Sequence, residues 1–157
     1  MKKKDTVPQE LHNKHLAKKL NDYMVENNNE LYKYLNEKNE LKDFLINRSN
    51  TAFEAYKNAI SEGMPSPDEI CNKILFCGIE NSYIEYIESL LDDNFFEFYT
   101  NLNKKPSHTI DNILESLVFS CMDIFYKYLN NSYEQVMDQL DDELIKVLEY
   151  QTKIISL

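Results

Sequence analysis

The stretch TIDNILESLVFSCMDIFYKYLN, residues 109–130, decides the predicted fold. Its apolar side chains recur every three or four residues, which is the period of an α-helix rather than that of a strand. A helix that is apolar over so wide an arc lies at the centre of a bundle, because it must be covered on several sides. The residues of this arc are Ile110, Ile113, Leu114, Leu117, Val118, Cys121, Ile124, Phe125, Tyr128 and Leu129.

Helical periodicity continues on both sides of this segment. We therefore expect an all-α bundle of five to six helices, mostly antiparallel neighbours, with no sheet. The first helix begins near Pro8 with Thr6 as its cap, and residues 31–35 are either its continuation or a short second helix. A helix over residues 39–62 ends at Gly63, since glycine readily adopts a left-handed stop.

Two start signals for helices lie in the middle of the chain. Ser66-Pro67-Asp68-Glu69 and Ser82-Tyr83-Ile84-Glu85 both have the pattern of a capping box, in which a serine and a glutamate bond to each other's backbone N–H groups. The second signal begins a helix that we expect to end near Leu102.

The 157 residues have the length of one domain. We predict a single helical domain over residues 1–157. Within it, residues 1–102 form the N-terminal helices, residues 103–107 form a loop, and residues 108–157 form a C-terminal helical pair.

The last helix has a narrow apolar stripe with the alternating four-and-three spacing of a coiled coil. The helix packs either within the bundle or against a second copy of the chain. Packing within the bundle is favoured, because bundle helices use the same geometry. The stripe consists of Tyr133, Met137, Leu140, Leu144, Val147 and Ile154, with Gln151 as its one polar member.

Composition excludes several classes of protein. Two glycines are too few for a phosphate-cradling loop. No run of 18 apolar residues is present, so we expect no membrane-spanning helix. The basic start Met-Lys-Lys-Lys is not followed by an apolar stretch, which disfavours a signal peptide. Three cysteines flanked by apolar residues indicate reduced thiols, and we expect a cytoplasmic protein.

The net charge of −10 is unevenly distributed. Residues 1–20 carry an excess of positive charge, while the rest of the chain is strongly acidic and should repel a nucleic-acid backbone. Binding to nucleic acid is therefore the weaker alternative. It would use as phosphate contacts the lysines of the N-terminal segment, Lys2, Lys3, Lys4, Lys14, Lys18 and Lys19.

No catalytic, cofactor-binding or metal-binding residue is predicted. His12 and His15 lack further ligands nearby, so we expect a solvent-facing His12 and a partly buried His15. Cys71 and Cys77 point about 120° apart on one helix and are expected to be core residues. Two acidic clusters lie opposite the apolar stripes and are expected to be solvated: Glu85, Glu88 and Asp92, and Glu134, Asp138 and Asp141.

Aromatic residues are abundant and supply the candidate interface. Tyr83, Tyr86, Phe96 and Tyr99 lie partly off the main apolar stripe of their helix. Such residues either form a protein interface or pack under the N-terminal segment, and periodicity does not separate the two. From the last helix, Tyr133, Met137, Leu140, Leu144 and Val147 complete the candidate interface.

The middle of the chain, roughly residues 31–98, resembles a known family. The residues that carry the resemblance are Phe44-Leu45, Arg48-Ser49-Asn50, Ala52, Glu54, Ala55, Tyr56, Ala59, Gly63, Asn72, Leu75-Phe76, Gly78, Ser82-Tyr83, Leu90-Leu91 and Phe95. They resemble the domain of unknown function 1896, a family of small helical proteins of Bacteroidetes and their conjugative elements. Asp92-Asp93-Asn94 stand where the family pattern has a tryptophan. The resemblance implies a bacterial, cytoplasmic accessory protein and assigns no catalytic residue.

Taken together, these features predict a non-enzymatic, acidic helical interaction module. Its partner is another protein or a second copy of the chain. No cofactor and no membrane contact are expected.

Overall fold

The computed structural model describes residues 9–80, 82–131 and 133–157, without the side chains of residues 9–11 and 133–135. These ranges contain eight α-helices and no β-strand, which confirms the all-α class. The predicted number of five to six helices is wrong. The predicted cap Thr6 and the first-turn residue Pro8 lie outside the described residues.

Two breaks raise the number of helices. Asn28 ends the first helix, and its side-chain oxygen accepts a hydrogen bond from the backbone N–H of Leu31 at 3.2 Å, which starts the second. The predicted helix over residues 82–102 is divided at Phe95, whose φ of −136° and ψ of 51° are not helical. Phe95 keeps the apolar spacing, so periodicity alone does not reveal this break.

Contacts divide the chain into two compact units. Unit 1, Met1–Cys77, contains the first four helices, and unit 2, Gly78–Leu157, contains the last four. The pair preceding the loop at residues 103–107 therefore packs with the helices that follow the loop. This grouping differs from the predicted subdivision, while the single domain itself stays a prediction.

Unit 1 consists of α1 (Gln9–Asn27), α2 (Asn29–Glu37), α3 (Leu41–Ser61) and α4 (Pro67–Leu75). Helix α3 packs against the other three helices, and α1 also contacts α2. Small side chains on α3, Ala52 and Ala59, are buried and allow close approach of its neighbours. The other main core residues are Leu16, Leu20, Met24, Leu31, Leu35, Phe44, Phe53, Cys71 and Leu75.

Left-handed residues end two helices of unit 1 in the same manner. Gly63 has a φ of +68°. Its N–H donates to the carbonyl oxygen of Ile60 at 3.1 Å, and the N–H of Met64 donates to the carbonyl oxygen of Ala59 at 2.9 Å. Asn39, with a φ of 59°, ends α2 through the equivalent pair of hydrogen bonds. This is the Schellman motif, and the predicted stop at Gly63 is confirmed.

The two predicted capping boxes differ in outcome. Ser82 accepts a hydrogen bond from the backbone N–H of Ile84 at 3.2 Å and is the cap of its helix. Ser66 has a left-handed backbone and forms no side-chain cap bond, although Pro67 does occupy the first helical position. Ser66 is the N-cap residue by position, as predicted, but its predicted side-chain cap bond is not formed, because its left-handed backbone differs from the extended conformation that capping requires.

Unit 2 consists of α5 (Tyr83–Asn94), α6 (Phe96–Leu102), α7 (Ser107–Tyr128) and α8 (Tyr133–Ile154). Helix α7 contacts both α5 and α8, as its wide apolar arc predicts. Helix α6 packs mainly on α5. The main core residues are Ile79, Tyr83, Ile87, Leu90, Leu91, Leu102, Leu114, Leu117, Val118, Cys121, Met122, Phe125, Leu129, Leu140, Leu144 and Leu148.

The apolar stripe of α8 differs from the predicted coiled-coil spacing. The buried residues are Leu140, Leu144 and Leu148, each four residues after the last, whereas Val147 is half-buried. A constant spacing of four suits packing against α7 and α5 within the unit. Among the described residues, no helix is long and apolar enough to cross a membrane.

Candidate functional site

The charge of the protein is divided unequally between the two units. Unit 1 contains twelve basic and twelve acidic residues, whereas unit 2 contains five basic and fifteen acidic ones. The whole net charge of −10 therefore lies on unit 2. Residues 74–103 include six of these acidic residues and no lysine or arginine.

The most aromatic part of the surface lies at the start of α6. Four rings fall within residues 95–99, and none of them is fully buried. The ring of Phe96 is 68% exposed. The helix is short and packs mainly on α5, so one side of these rings is left uncovered by the rest of the unit.

Carboxylates surround this aromatic surface. Asp92 and Asp93 end α5, Glu97 is in the first turn of α6, and all three are exposed. Glu88 lies one turn before Asp92 on α5. We call this region the α6 corner and define it by Glu88, Asp92, Asp93, Phe95, Phe96, Glu97, Phe98 and Tyr99.

Tyr99 connects α6 to the carboxylates of α5. Its hydroxyl donates a hydrogen bond to Oε2 of Glu88 at 3.0 Å. Burial raises the pKa of Tyr99, and so does the hydrogen bond to Glu88. A hydrogen bond with Asn103 lowers it, and the negative charges of Glu88 and Asp92 have smaller raising effects. Tyr99 thus remains a neutral hydrogen-bond donor that holds one side of the corner in place.

The two tyrosines of α5 from the predicted interface have partners within unit 2. Tyr83 is buried and stacks on Phe125 with ring centroids 3.9 Å apart. Tyr86 meets the same ring edge-on at 5.6 Å, and its hydroxyl donates to Oδ1 of Asp141 at 2.5 Å. These contacts join α5 to α7 and α8 within unit 2.

The predicted interface residues of α8 are divided between core and surface. Leu140 and Leu144 are fully buried, Val147 is half-buried, and Met137 is 42% exposed. The side chain of Tyr133 lies outside the described residues. The prediction of an interface role is therefore wrong for Tyr83, Leu140 and Leu144. They belong to the core of unit 2, and a buried side chain has no exposed area that a partner could cover.

The basic residues predicted as phosphate contacts are only partly described. Lys2, Lys3 and Lys4 lie outside the described residues, while Lys14, Lys18 and Lys19 are exposed on α1. Lys18 forms an ion pair with Asp22 at 2.7 Å. Lys19 donates to Oδ1 of Asn72 at 2.8 Å and lies 5.7 Å from the ring centroid of Phe76.

The histidines of α1 are placed opposite to expectation. His12 is half-buried and stacks on Phe53 with ring centroids 4.8 Å apart, while His15 is exposed. In the part of the chain that the structure describes, no group of three or more His, Cys, Asp or Glu side chains could hold a metal ion. Cys71 and Cys121 are buried and Cys77 is half-buried, and none forms a disulfide.

Arg48 has a structural role that is not among the sequence-based predictions. Its side chain is only 6% exposed, and its Nη1 lies within hydrogen-bond distance of three carbonyl oxygens at the end of α4. The signal was present, because Arg48 occupies the position between Phe44 and Ala52 on the apolar stripe of α3. A basic residue in such a stripe indicates a buried cation that needs acceptors.

A second group of residues that is not among the sequence-based predictions lies between α7 and α8. The carboxylate of Glu143 accepts a hydrogen bond from the hydroxyl of Tyr128 and forms an ion pair with Lys127 at 2.9 Å. The hydrogen bond from Tyr128 lowers the pKa of Glu143, and Lys127 lowers it further. These residues lie on separate helices, so no local motif predicts them.

The fold and the surface define an all-α protein with a neutral N-terminal unit and an acidic C-terminal unit that presents aromatic side chains. The chain belongs to the family described as Domain of unknown function (DUF1896), whose model matches residues 10–151. This match confirms the resemblance and extends it well beyond residues 31–98 at both ends. Comparison with curated proteins and with solved structures found no match.

Proposed function

We propose that this chain is a non-enzymatic acidic interaction module that binds a protein partner or a second copy of itself. One observation carries the proposal. The unit that holds the whole net charge of −10 also exposes the aromatic residues of the α6 corner. Exposed aromatic groups with a polar rim are the composition of protein interfaces rather than of an ordinary wet surface.

The two properties of the corner contribute differently to binding. Covering one large apolar side chain contributes about 1.5–3 kcal/mol, so the ring of Phe96 is the natural source of affinity. The surrounding carboxylates would contribute mainly to the rate of association and to the choice of partner. The proposal includes a bacterial cytoplasmic setting, and cysteines that form no disulfide support it.

The alternative is an accessory protein that contacts nucleic acid through its N-terminal lysines. Unit 1 has no net positive charge, and two of the exposed lysines already bond to side chains of unit 1. Titration of labelled duplex DNA with the full chain at low salt tests this alternative. Binding that weakens steeply with salt would support it, and no binding would remove it.

The interaction module is tested with full-length protein by light scattering behind a sizing column, and by affinity capture from the bacterial host. We expect either concentration-dependent self-association or a retained protein, and in both cases loss of the effect in Phe96→Ser. Phe119→Ser is the matched control, since Phe119 is 74% exposed on α7 and lies outside the corner. A monodisperse monomer at high concentration that retains no protein would contradict the proposal.

A further inference from the structure

We infer that the α6 corner binds a segment of a partner protein in which arginine or lysine side chains flank an apolar residue. This inference rests on the proposed function and specifies the chemistry of the partner. Two features of the corner support the inference: its exposed aromatic rings and the carboxylates around them. Each feature independently limits which partner segment could bind.

The aromatic surface requires an occupant with apolar or flat cationic groups. Phe96 is 68% exposed, and Phe95, Phe98 and Tyr99 are each only partly covered. Helix α6 buries Leu102 but none of its rings. A partner that covers this surface removes apolar area from water, which is the main source of binding free energy.

The negative charge of the corner favours a positively charged partner segment. Carboxylates of Asp92, Asp93 and Glu97 are exposed beside the rings, and the nearest basic residues in sequence are Lys73 and Lys104. Some exposed carboxylates elsewhere pair with a cation of the same chain, as in Lys18–Asp22 and Lys153–Glu149. Residues 74–103 supply none, so a cationic partner has the complementary charge.

Cation–π contacts occur at other aromatic rings of the same chain. Lysine or arginine groups lie over the rings of Tyr34, Phe44, Phe53 and Tyr128 at 4.8–5.1 Å from the centroid. We expect the same contact at Phe96, with the cationic side chain supplied by the partner. A guanidinium suits the place best, because it stacks on a ring while its N–H groups bond to adjacent carboxylates.

The test is a titration of full-length protein into fluorescein-labelled peptides, followed by fluorescence anisotropy. Three synthetic peptides of one length are compared, with repeats of Arg-Leu-Arg, Gln-Leu-Gln and Glu-Leu-Glu. We expect binding of the arginine peptide alone. Phe96→Ser and the double change Asp92→Asn with Asp93→Asn should each weaken binding about tenfold, a loss of about 1.4 kcal/mol that one cation–π or charge contact can supply.

Two matched controls separate the corner from the charge of the whole unit. Phe119→Ser and Glu115→Gln remove an exposed ring and an exposed carboxylate from α7. Both should bind the arginine peptide within about twofold of the unchanged protein, since they leave the corner intact. Circular dichroism and thermal unfolding verify that every variant is folded; Phe96→Leu replaces Phe96→Ser if the latter is not.

Each other outcome overturns the inference. Equal binding by Phe96→Ser, or equal weakening in the α7 controls, would mean that net charge alone attracts the peptide. Dimerisation of the chain that Phe96→Ser abolishes, without binding of the arginine peptide, would assign the corner to a second copy. That last result would leave the proposed interaction module standing, whereas absence of both association and capture would remove the module as well.

Discussion

The guanidinium group of Arg48 donates a hydrogen bond from Nη1 to the carbonyl oxygen of Cys77 at 2.8 Å. The same nitrogen lies 3.1 Å and 3.3 Å from the carbonyl oxygens of Leu75 and Ile74. The last carbonyls of an α-helix lack N–H partners from a following turn, and a cation at this end also opposes the negative pole of the helix dipole. The only arginine of the chain thus joins α3 to the end of α4.

Replacement of Arg48 by methionine should destabilise unit 1 by about 3 kcal/mol, because it removes the charged donor that bonds to the carbonyl oxygens at the end of α4. Urea unfolding of the full chain, followed by circular dichroism, measures the effect. Lys57→Met is the control, since Lys57 is exposed. It pairs with Glu54 and lies over the ring of Phe53, and its loss should cost less than about 1 kcal/mol. A loss below about 1 kcal/mol for Arg48→Met would show that the cap contributes little.

Replacement of Gly63 by alanine should lower the free energy of unfolding by about 1–2 kcal/mol. The cost is conformational, because the φ of +68° disfavours a Cβ atom while nothing lies within 4 Å of the place where that atom would be. Gly63→Asn should cost less, since asparagine tolerates the left-handed region better. Thermal unfolding of both variants provides the comparison, and equal losses would point to a steric cause instead.

Acidification should weaken the contact between α7 and α8 through Glu143. Its hydrogen bond from Tyr128 and its ion pair with Lys127 hold the folded-state pKa below the ordinary glutamate value. The unfolded chain therefore binds more protons in this range, so stability is present at neutral pH and is lost as the pH falls through the folded-state pKa. The stability of Glu143→Gln should consequently depend less on pH below about 4.5, near the ordinary value for glutamate.

Equilibrium unfolding at several pH values measures this dependence, with Glu115→Gln as the control for the loss of one negative charge. The quantity to compare is the loss in free energy of unfolding of Glu143→Gln and of Glu115→Gln as the pH is lowered. Identical acid profiles for Glu143→Gln and the unchanged protein would rule out the contribution of this cluster. High salt should reduce the effect, because the ion pair is exposed to solvent.

The three cysteines should react with a thiol reagent at different rates. Burial raises the pKa of Cys121 to about 12 and also raises the pKa of Cys71, so both are almost fully protonated and covered at pH 8. We expect Ellman's reagent to modify Cys77 promptly in the native protein, and all three thiols in denaturant. In Cys77→Ser the prompt reaction should disappear; its persistence would mean that a buried cysteine is accessible.

Periodicity predicted the central helix well because one strong signal defined it. Residues 109–130 correspond to α7 at Ser107–Tyr128, and Leu117, Cys121 and Phe125 are buried as expected. Periodicity misses a helix break where the apolar spacing continues through it, as it does at Phe95. Such a break depends on backbone angles and on the packing of α6 against α5, which the sequence pattern does not contain.

The α8 helix illustrates a second limit. Val147 and Leu148 are adjacent apolar residues, so a stripe with either spacing can be drawn through them. Packing on α7 and α5 selects Leu148 for the core and leaves Val147 half-buried. Only the neighbouring helices decide which of the two faces inward, and their positions depend on contacts distant in sequence.

The candidate surface was predictable in composition but not residue by residue. Phe96 and Tyr83 both lie off the strongest stripe of the predicted helix over residues 82–102, yet Phe96 is exposed and Tyr83 is buried against Phe125. At about 100° per residue, helical phase places Phe96 farther from the stripe than Tyr83, which favours exposure of Phe96 but does not predict the full burial of Tyr83. The burial of Tyr83 depends on its stacking against Phe125 of α7, which is distant in sequence.

Absence of lysine and arginine from residues 74–103 has a practical consequence for proteolysis. Trypsin cleaves after basic residues, so its sites nearest to the α6 corner follow Lys73 and Lys104. One tryptic peptide, residues 74–104, therefore carries all of α5 and α6 together. In a cross-linking experiment read by mass spectrometry, any bond that a partner forms with the corner would appear as a change in the mass of this single fragment.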